Sequence, residues 1–63
     1  MKRQQIMKAL RAEAKKHDLP LETTEGAKHT VVRIGERRTT VPRHREINEI
    51  TAEQIFKQMG MKA

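Results

Sequence analysis

The sequence predicts an α+β fold, with two helices and three antiparallel strands in the order α-β-β-β-α. Three observations predict it: a helix-forming first quarter, a central stretch rich in β-branched residues around a Gly-Glu turn, and an amphipathic closing segment that ends at a glycine. A chain of 63 residues has room for one domain, with a small core.

The charge balance favours a polyanionic partner. Lysine and arginine number 14 against 8 aspartate and glutamate residues, a formal net charge of +6. Neutralising the phosphates of a nucleic acid releases counterions whatever its sequence. Phe56 is the one aromatic residue, which excludes the aromatic stacking platforms of many single-strand binders. Recognition of RNA through backbone charge and shape needs no such platform.

Cysteine content and hydropathy set the expected compartment. The chain has no cysteine, which excludes disulfides and cysteine-type zinc sites and fits a reducing cytoplasm. No apolar run approaches the roughly 20 residues of a membrane span, and residues 1–11 lack the hydrophobic region of a signal peptide. We therefore expect a soluble cytoplasmic protein with no membrane partner.

The first helix is predicted from Lys2 to about His17, and Pro20 lies beyond its end. An apolar stripe recurs every four residues, at Ile6, Leu10 and Ala14. His17 is expected to cap the helix, because a cationic ring interacts well with a helix C-terminus. The opposite face is basic and is either simply solvated, which is favoured, or in contact with RNA; its residues are Lys2, Arg3, Lys8, Arg11, Lys15 and Lys16.

Three strands follow the helix. The weak alternation of Leu21–Glu25 predicts an edge strand, and Gly26 then allows left-handed turn conformations that other residues resist. Valine, isoleucine and threonine dominate 29–34, which is the strongest strand signal. The dipeptide Gly35–Glu36 predicts a two-residue hairpin turn, after which 37–41 returns as the third strand.

The predicted turn fixes the hairpin register and the face of each side chain. The expected pairs are Ile34 with Arg37, Arg33 with Arg38, Val32 with Thr39 and Val31 with Thr40. One face then carries the residues suited to packing on helices, Thr30, Val32, Ile34, Thr39 and Val41. Arg33 and Arg38 oppose each other as like charges, so the pattern fits either a phosphate clamp or two arginines splayed into water.

The closing helix is predicted to begin at Thr51. Thr51 and Gln54 have the spacing of a capping box, and Ile50 and Ile55 have the spacing of the hydrophobic staple that often accompanies one.

The end of this helix is predicted at Gly60, with Met61 folding back on Phe56 in a Schellman motif. Both helices are expected on one face of the sheet. The predicted core consists of Ile6, Leu10, Leu21, Val32, Ile34, Val41, Ile47, Ile50, Ile55, Phe56 and Met59.

Three stretches of the chain resemble the HicA family of toxin endoribonucleases: GAKH, VVRIGERRTTVPRHREI and TAEQIFKQMG. The family has a glycine and a histidine close together at the start of the second strand. A VPRH-like stretch follows its third strand, and its closing helix has an I-x-K-Q-x-G ending. These features occur here in the same order, and the similarity covers nearly the whole chain.

The resemblance implies a double-stranded-RNA-binding-like fold, with one HicA-like domain over 1–63. It also implies an mRNA-cleaving toxin of a type II toxin–antitoxin system, encoded beside a HicB-type antitoxin that binds it and covers the catalytic histidine. His29 matches that histidine. Many relatives have Gly-Ser-His, whereas Ala27 and Lys28 separate Gly26 from His29 in this sequence.

Cleavage of RNA without a metal or other cofactor needs a base for the 2′-hydroxyl, an acid for the 5′-oxygen and cations at the phosphate. Imidazole can serve as base or acid near neutral pH, and His29 is the predicted catalytic residue. For His44, a binding or structural role is favoured over proton transfer. The three histidines lack the spacing of a metal motif. The residues predicted to contact RNA are Lys28, Arg33, Arg38, Arg43, His44 and Arg45, with Gly26 as a turn residue.

Two other classes of function stay open. One is a non-catalytic RNA- or DNA-binding module, which the net charge supports and which loss of His29 would leave intact. The other is a small protein-interaction partner whose basic face meets an acidic protein. Binding without cleavage would favour the first, and insensitivity to RNA would favour the second.

Overall fold

The computed structural model describes residues 1–61 and has the predicted order of elements. The last two residues of the predicted domain, 62 and 63, lie outside the described part. The elements are α1 (Arg3–Lys16), β1 (Leu21–Glu25), β2 (His29–Ile34), β3 (Arg37–Pro42) and α2 (Glu49–Gln58). The α+β prediction is therefore confirmed, with two helices and an antiparallel three-stranded sheet.

The predicted register of the sheet is also confirmed. The strand order is β1-β2-β3, so β1 lies at an edge as expected. All four predicted hairpin pairs occur, including Arg33 with Arg38, and Gly35 in the two-residue turn has a φ of 61°. Burial alternates along the strands, because the inward residues Thr30, Val32, Ile34, Thr39 and Val41 are buried against the helices.

The end of α1 depends on a residue that the sequence reading did not single out. Asp18 has a φ of 55°, and its N–H donates to the Lys15 carbonyl at 3.1 Å. The N–H of Leu19 donates to the Ala14 carbonyl at 2.9 Å. Together these bonds form a Schellman motif with aspartate where glycine is usual. His17 is the C-cap residue, as predicted. Its ring Nε2 forms a hydrogen bond with the Glu13 carboxylate at 2.7 Å.

The start of α2 corrects the sequence prediction. Asn48, not Thr51, is the N-cap, and its side-chain oxygen accepts from the Thr51 N–H at 2.8 Å. Asparagine caps more strongly than threonine, and this start brings Ala52 into the core. Ile50 was predicted to be buried, yet it is 70% exposed. The reason is helical geometry, since Ile50 and Ile55 are five positions apart and therefore point about 140° away from each other around the helix.

The end of α2 follows the prediction. Gly60 has a φ of 73°, its N–H donates to the Lys57 carbonyl at 3.0 Å, and the Met61 N–H donates to the Phe56 carbonyl at 2.8 Å. A side-chain bond of 2.6 Å from the Thr39 hydroxyl to the Gln58 carboxamide oxygen then ties β3 to this helix.

The core is smaller in side-chain volume than predicted. Phe56 and Leu21 are only partly buried against it, and Met7, Ala14 and Ala52 are buried members that the prediction omitted. The buried hydrophobic residues within 1–61 are Ile6, Met7, Leu10, Ala14, Val32, Ile34, Val41, Ile47, Ala52, Ile55 and Met59.

The segment between β3 and α2 is held against the start of α1. The Arg3 N–H donates to the Arg45 carbonyl at 3.0 Å, and the Ile47 N–H donates to the Met1 carbonyl at 2.8 Å. An antiparallel bridge between Lys2 and Glu46 lies between these bonds. The first residues of the chain therefore fix where the basic segment 43–45 lies. None of the helices within 1–61 has the length and apolar character needed to cross a membrane.

Candidate nucleic-acid interface

His29 is the first residue of β2 and lies at one end of the sheet, opposite Pro42 of β3. Its side chain is exposed on the face of the sheet away from the helices. Within residues 1–61 its ring makes no hydrogen bond with another side chain. A histidine placed in this way can meet a ligand from solvent without first breaking an internal hydrogen bond.

Gly26 acts through close approach and not through a left-handed backbone, which corrects the sequence prediction. Its φ is not positive, unlike those of Gly35 and Gly60. Its N–H donates to the His29 carbonyl at 2.8 Å, and a Cβ at this position would lie 3.1 Å from the same carbonyl oxygen. The glycine therefore lets the turn close tightly onto His29, despite the two intervening residues.

The segment after β3 brings further cations to the His29 end of the sheet. The Arg43 N–H donates to the Lys28 carbonyl at 3.2 Å, which places these two residues side by side. His44 and Arg45 follow directly and are exposed. The structure thus gathers Lys28, His29 and Arg43 at one end of the sheet, with the next two predicted residues adjoining them.

Arg43 belongs to a network that the sequence did not suggest. Its guanidinium forms an ion pair with Glu25, and Glu25 also accepts from the Thr30 hydroxyl at 2.9 Å. Arg3 donates to that hydroxyl at 2.7 Å and, through Nε, to the Pro42 carbonyl at 3.2 Å. The Thr30 hydroxyl and then Arg43 hold the pKa of Glu25 below its ordinary value.

This network changes what two of its members can do. Because the Glu25 carboxylate already neutralises part of the Arg43 charge, this guanidinium should attract a phosphate less strongly than the sequence suggested. Arg3, read as part of a basic helix face, is instead half-buried and joins α1 to β2 and β3. The one signal available in the sequence was Thr30, an inward-facing polar residue that needs hydrogen-bond partners once buried.

Arg33 and Arg38 are paired as predicted but lie far from His29. Arg33 is four positions beyond His29 in β2, which is about 13 Å along an antiparallel strand. Glu22 pairs with Arg33 from the other side, so the like charges are flanked by a carboxylate-bearing residue. The Arg33 Nε donates to the Gly35 carbonyl at 3.0 Å. The structure does not bring these arginines to the phosphate that would meet His29.

Most lysine and arginine side chains within residues 1–61 form no ion pair. Within residues 1–61 the ion pairs are Arg43 with Glu25 and His17 with Glu13. In the same part of the chain, no group of three or more histidine, aspartate or glutamate side chains could hold a metal ion. The exposed cations are therefore available to an external anion.

Comparison with protein-family models, curated proteins and solved structures gives no match for this chain.

Proposed function

We propose that this protein is a metal-independent endoribonuclease that cleaves mRNA in the cytoplasm, as the toxin of a type II toxin–antitoxin pair with a HicB-type partner. The observation that carries the proposal is the exposed His29 at a sheet end lined by Lys28 and the segment 43–45. The resemblance of GAKH, VPRH and the closing helix to the HicA family supports the same function. An antitoxin that covers this end of the sheet would block access of RNA.

The proposed reaction uses the nucleophile that RNA provides. The 2′-oxygen loses its proton to a base and bonds to the adjacent phosphorus, while the bond to the 5′-oxygen breaks and that oxygen takes a proton from an acid. The products are a 2′,3′-cyclic phosphate and a 5′-hydroxyl end. Neutral His29 can accept the first proton, or its imidazolium can donate the second.

Nearby groups can supply the remaining needs of this reaction. Lys28 precedes His29 and can stabilise charge on the phosphate oxygens. His44 follows Arg43 at the same end of the sheet, so it is the candidate for a second proton transfer, although a binding or structural role is favoured for it. Arg33 and Arg38 lie at the opposite end of β2 and β3 from His29. We therefore assign them to contacts with the RNA strand at some distance from the nucleotide that is cleaved.

The decisive experiment is cleavage of a long RNA in EDTA by the wild type, His29→Ala and His17→Ala. Positioned acid–base catalysis contributes about 10²- to 10⁴-fold, so His29→Ala should lose at least about 100-fold in rate while still binding RNA. His17→Ala is the matched control, since it removes an exposed histidine at the C-cap of α1. Equal cleavage by all three folded proteins would remove His29 from the site.

One observation favours a second candidate, a non-catalytic RNA-binding module. In residues 1–61 no side chain hydrogen-bonds to the His29 ring, whereas catalytic histidines are commonly oriented by a partner. RNA binding by the wild type with no cleavage under any of these conditions would establish this module in place of the nuclease.

A further inference from the structure

A second basic depression lies beside the start of α1, and Arg45 is the one residue of its lining that was already predicted to contact RNA. It is a groove of about 280 Å³. One side comes from α1 and its preceding residue, and the other from the segment after β3. Its lining residues are Lys2, Arg3, Gln4, Met7, Arg11 and Arg45. We call it the α1 groove.

The lining of the α1 groove is cationic on both sides. Four of its six residues are lysine or arginine, and none is acidic. Met7 is 6% exposed and forms a buried apolar base. Arg45 belongs to the other side of the groove, where the bond from the Arg3 N–H to its carbonyl holds its backbone. The groove is thus built from two segments that the fold holds together.

Three of the four charges of this groove are not explained by folding, since in the described part of the chain only Arg3 donates to acceptors that join α1 to the sheet. Lys2, Arg11 and Arg45 are exposed and form no ion pair within residues 1–61. Lys2 and Arg3 lie at the start of α1, where cations are disfavoured by the helix dipole, and the first turn has no acidic residue. By contrast, α2 has Glu49 in its first turn and Lys57 in its last. An external anion would relieve this repulsion.

We propose that the α1 groove binds the phosphodiester backbone of the RNA substrate beside the nucleotide that meets His29. Cationic residues on both sides of the groove and no carboxylate in its lining fit a phosphate group and disfavour a cationic or neutral ligand. The groove shares Arg3 with the depression lined by Glu25 and Arg43, so it adjoins the His29 end of the sheet. This inference rests on the proposed function for the identity of the substrate.

The two arginines of the basic stretch 43–45 have different surroundings. Arg43 is paired with Glu25 near His29, whereas Arg45 faces the α1 groove without an acidic neighbour in its lining. Arg45 and Arg11 should therefore contribute more to RNA affinity than Arg43, although sequence alone gives all three the same charge.

The test is binding of a 2′-O-methylated RNA 20-mer, which lacks the 2′-hydroxyl nucleophile and so stays intact, over a series of salt concentrations. Arg11→Gln and Arg45→Gln should each weaken binding about tenfold and reduce the slope of log affinity against log salt by about 0.7. Both side chains are exposed, and the Arg45 bond to Arg3 uses its backbone carbonyl, so folding should persist. Circular dichroism melts check this.

Lys8→Gln is the matched control. Lys8 is an exposed cation of α1 that does not line the groove, so the substitution removes the same charge from the same helix. Equal losses in Lys8→Gln and Arg11→Gln would overturn the proposal in favour of diffuse charge attraction. Failure of the wild type to bind the 20-mer would also overturn it.

Cleavage of unmodified RNA, measured with the same proteins, separates this inference from the proposed function. Loss of binding in Arg11→Gln and Arg45→Gln without any cleavage by the wild type would support the groove and reject the nuclease. Cleavage that depends on His29, with binding unchanged in both groove variants, would support the nuclease and reject the groove.

Discussion

Asp18 has the left-handed backbone conformation that favours glycine. It ends α1 through the bond from its N–H to the Lys15 carbonyl, and its carboxylate lies at the helix end where negative charge is unfavourable. Both effects make this aspartate a poorer residue for stability than glycine would be.

Replacement of Asp18 by glycine should therefore stabilise the protein. We expect Asp18→Gly to gain about 1 kcal/mol and to raise the Tm by about 4–8 °C for a domain of this size, in thermal melts followed by circular dichroism. Asp18→Ala is the matched control, because it removes the same charge but keeps a Cβ in the left-handed conformation. An equal gain in both variants would show that charge, not backbone strain, limits stability here.

The positions of some residues of the site could be predicted from the sequence, and the positions of others could not. His29 and the paired arginines could be placed because strand alternation and a two-residue turn act over short distances. The bonds that join Arg3, Thr30, Glu25 and Arg43 could not, because their members come from four separate segments and meet only in the folded chain.

In helix α2, two isoleucines five positions apart have opposite environments. Ile55 is 2% exposed, whereas Ile50 is 70% exposed. The hydrophobic pattern did not distinguish them, because the N-cap was assigned to Thr51 and not to Asn48. The sheet was predicted more accurately than this helix, since its turns fix the register directly.

Substitution of the two isoleucines by alanine should give unequal losses. Ile55→Ala should cost about 2–4 kcal/mol, through lost burial and the cavity left behind. Ile50→Ala should change stability by less than about 0.5 kcal/mol, as expected for an exposed position. Urea unfolding of both variants measures the difference. Comparable losses would mean that Ile50 is buried in solution, for example against a partner.

At the scale of the whole molecule, the Glu25 network links α1, β1, β2 and the segment after β3. The pKa of Glu25 is lowered in the folded protein, first by the Thr30 hydroxyl and then by Arg43. A depressed pKa means that the network stabilises the fold above the unfolded-state pKa of glutamate and loses this contribution as the pH falls through the folded-state value.

The Tm should therefore fall as the pH is lowered below about 4.5, the ordinary value for this group. Glu25→Gln should lower the Tm at neutral pH and flatten the acid dependence, because the variant has no carboxylate to protonate. Glu22→Gln, in the same strand but outside the network, is the control and should keep the wild-type dependence. Parallel acid profiles for wild type and Glu25→Gln would show that the network does not govern acid stability.

The strand order β1-β2-β3 has a kinetic consequence. Strands adjacent in the sheet are also adjacent in the chain, which keeps the contacts within the sheet local and favours folding at about 10³ s⁻¹. A core this small supports only about 3–5 kcal/mol of net stability, so the native state should open about once per second. A ligand or protein that binds only the folded state would then determine how long each molecule escapes proteolysis.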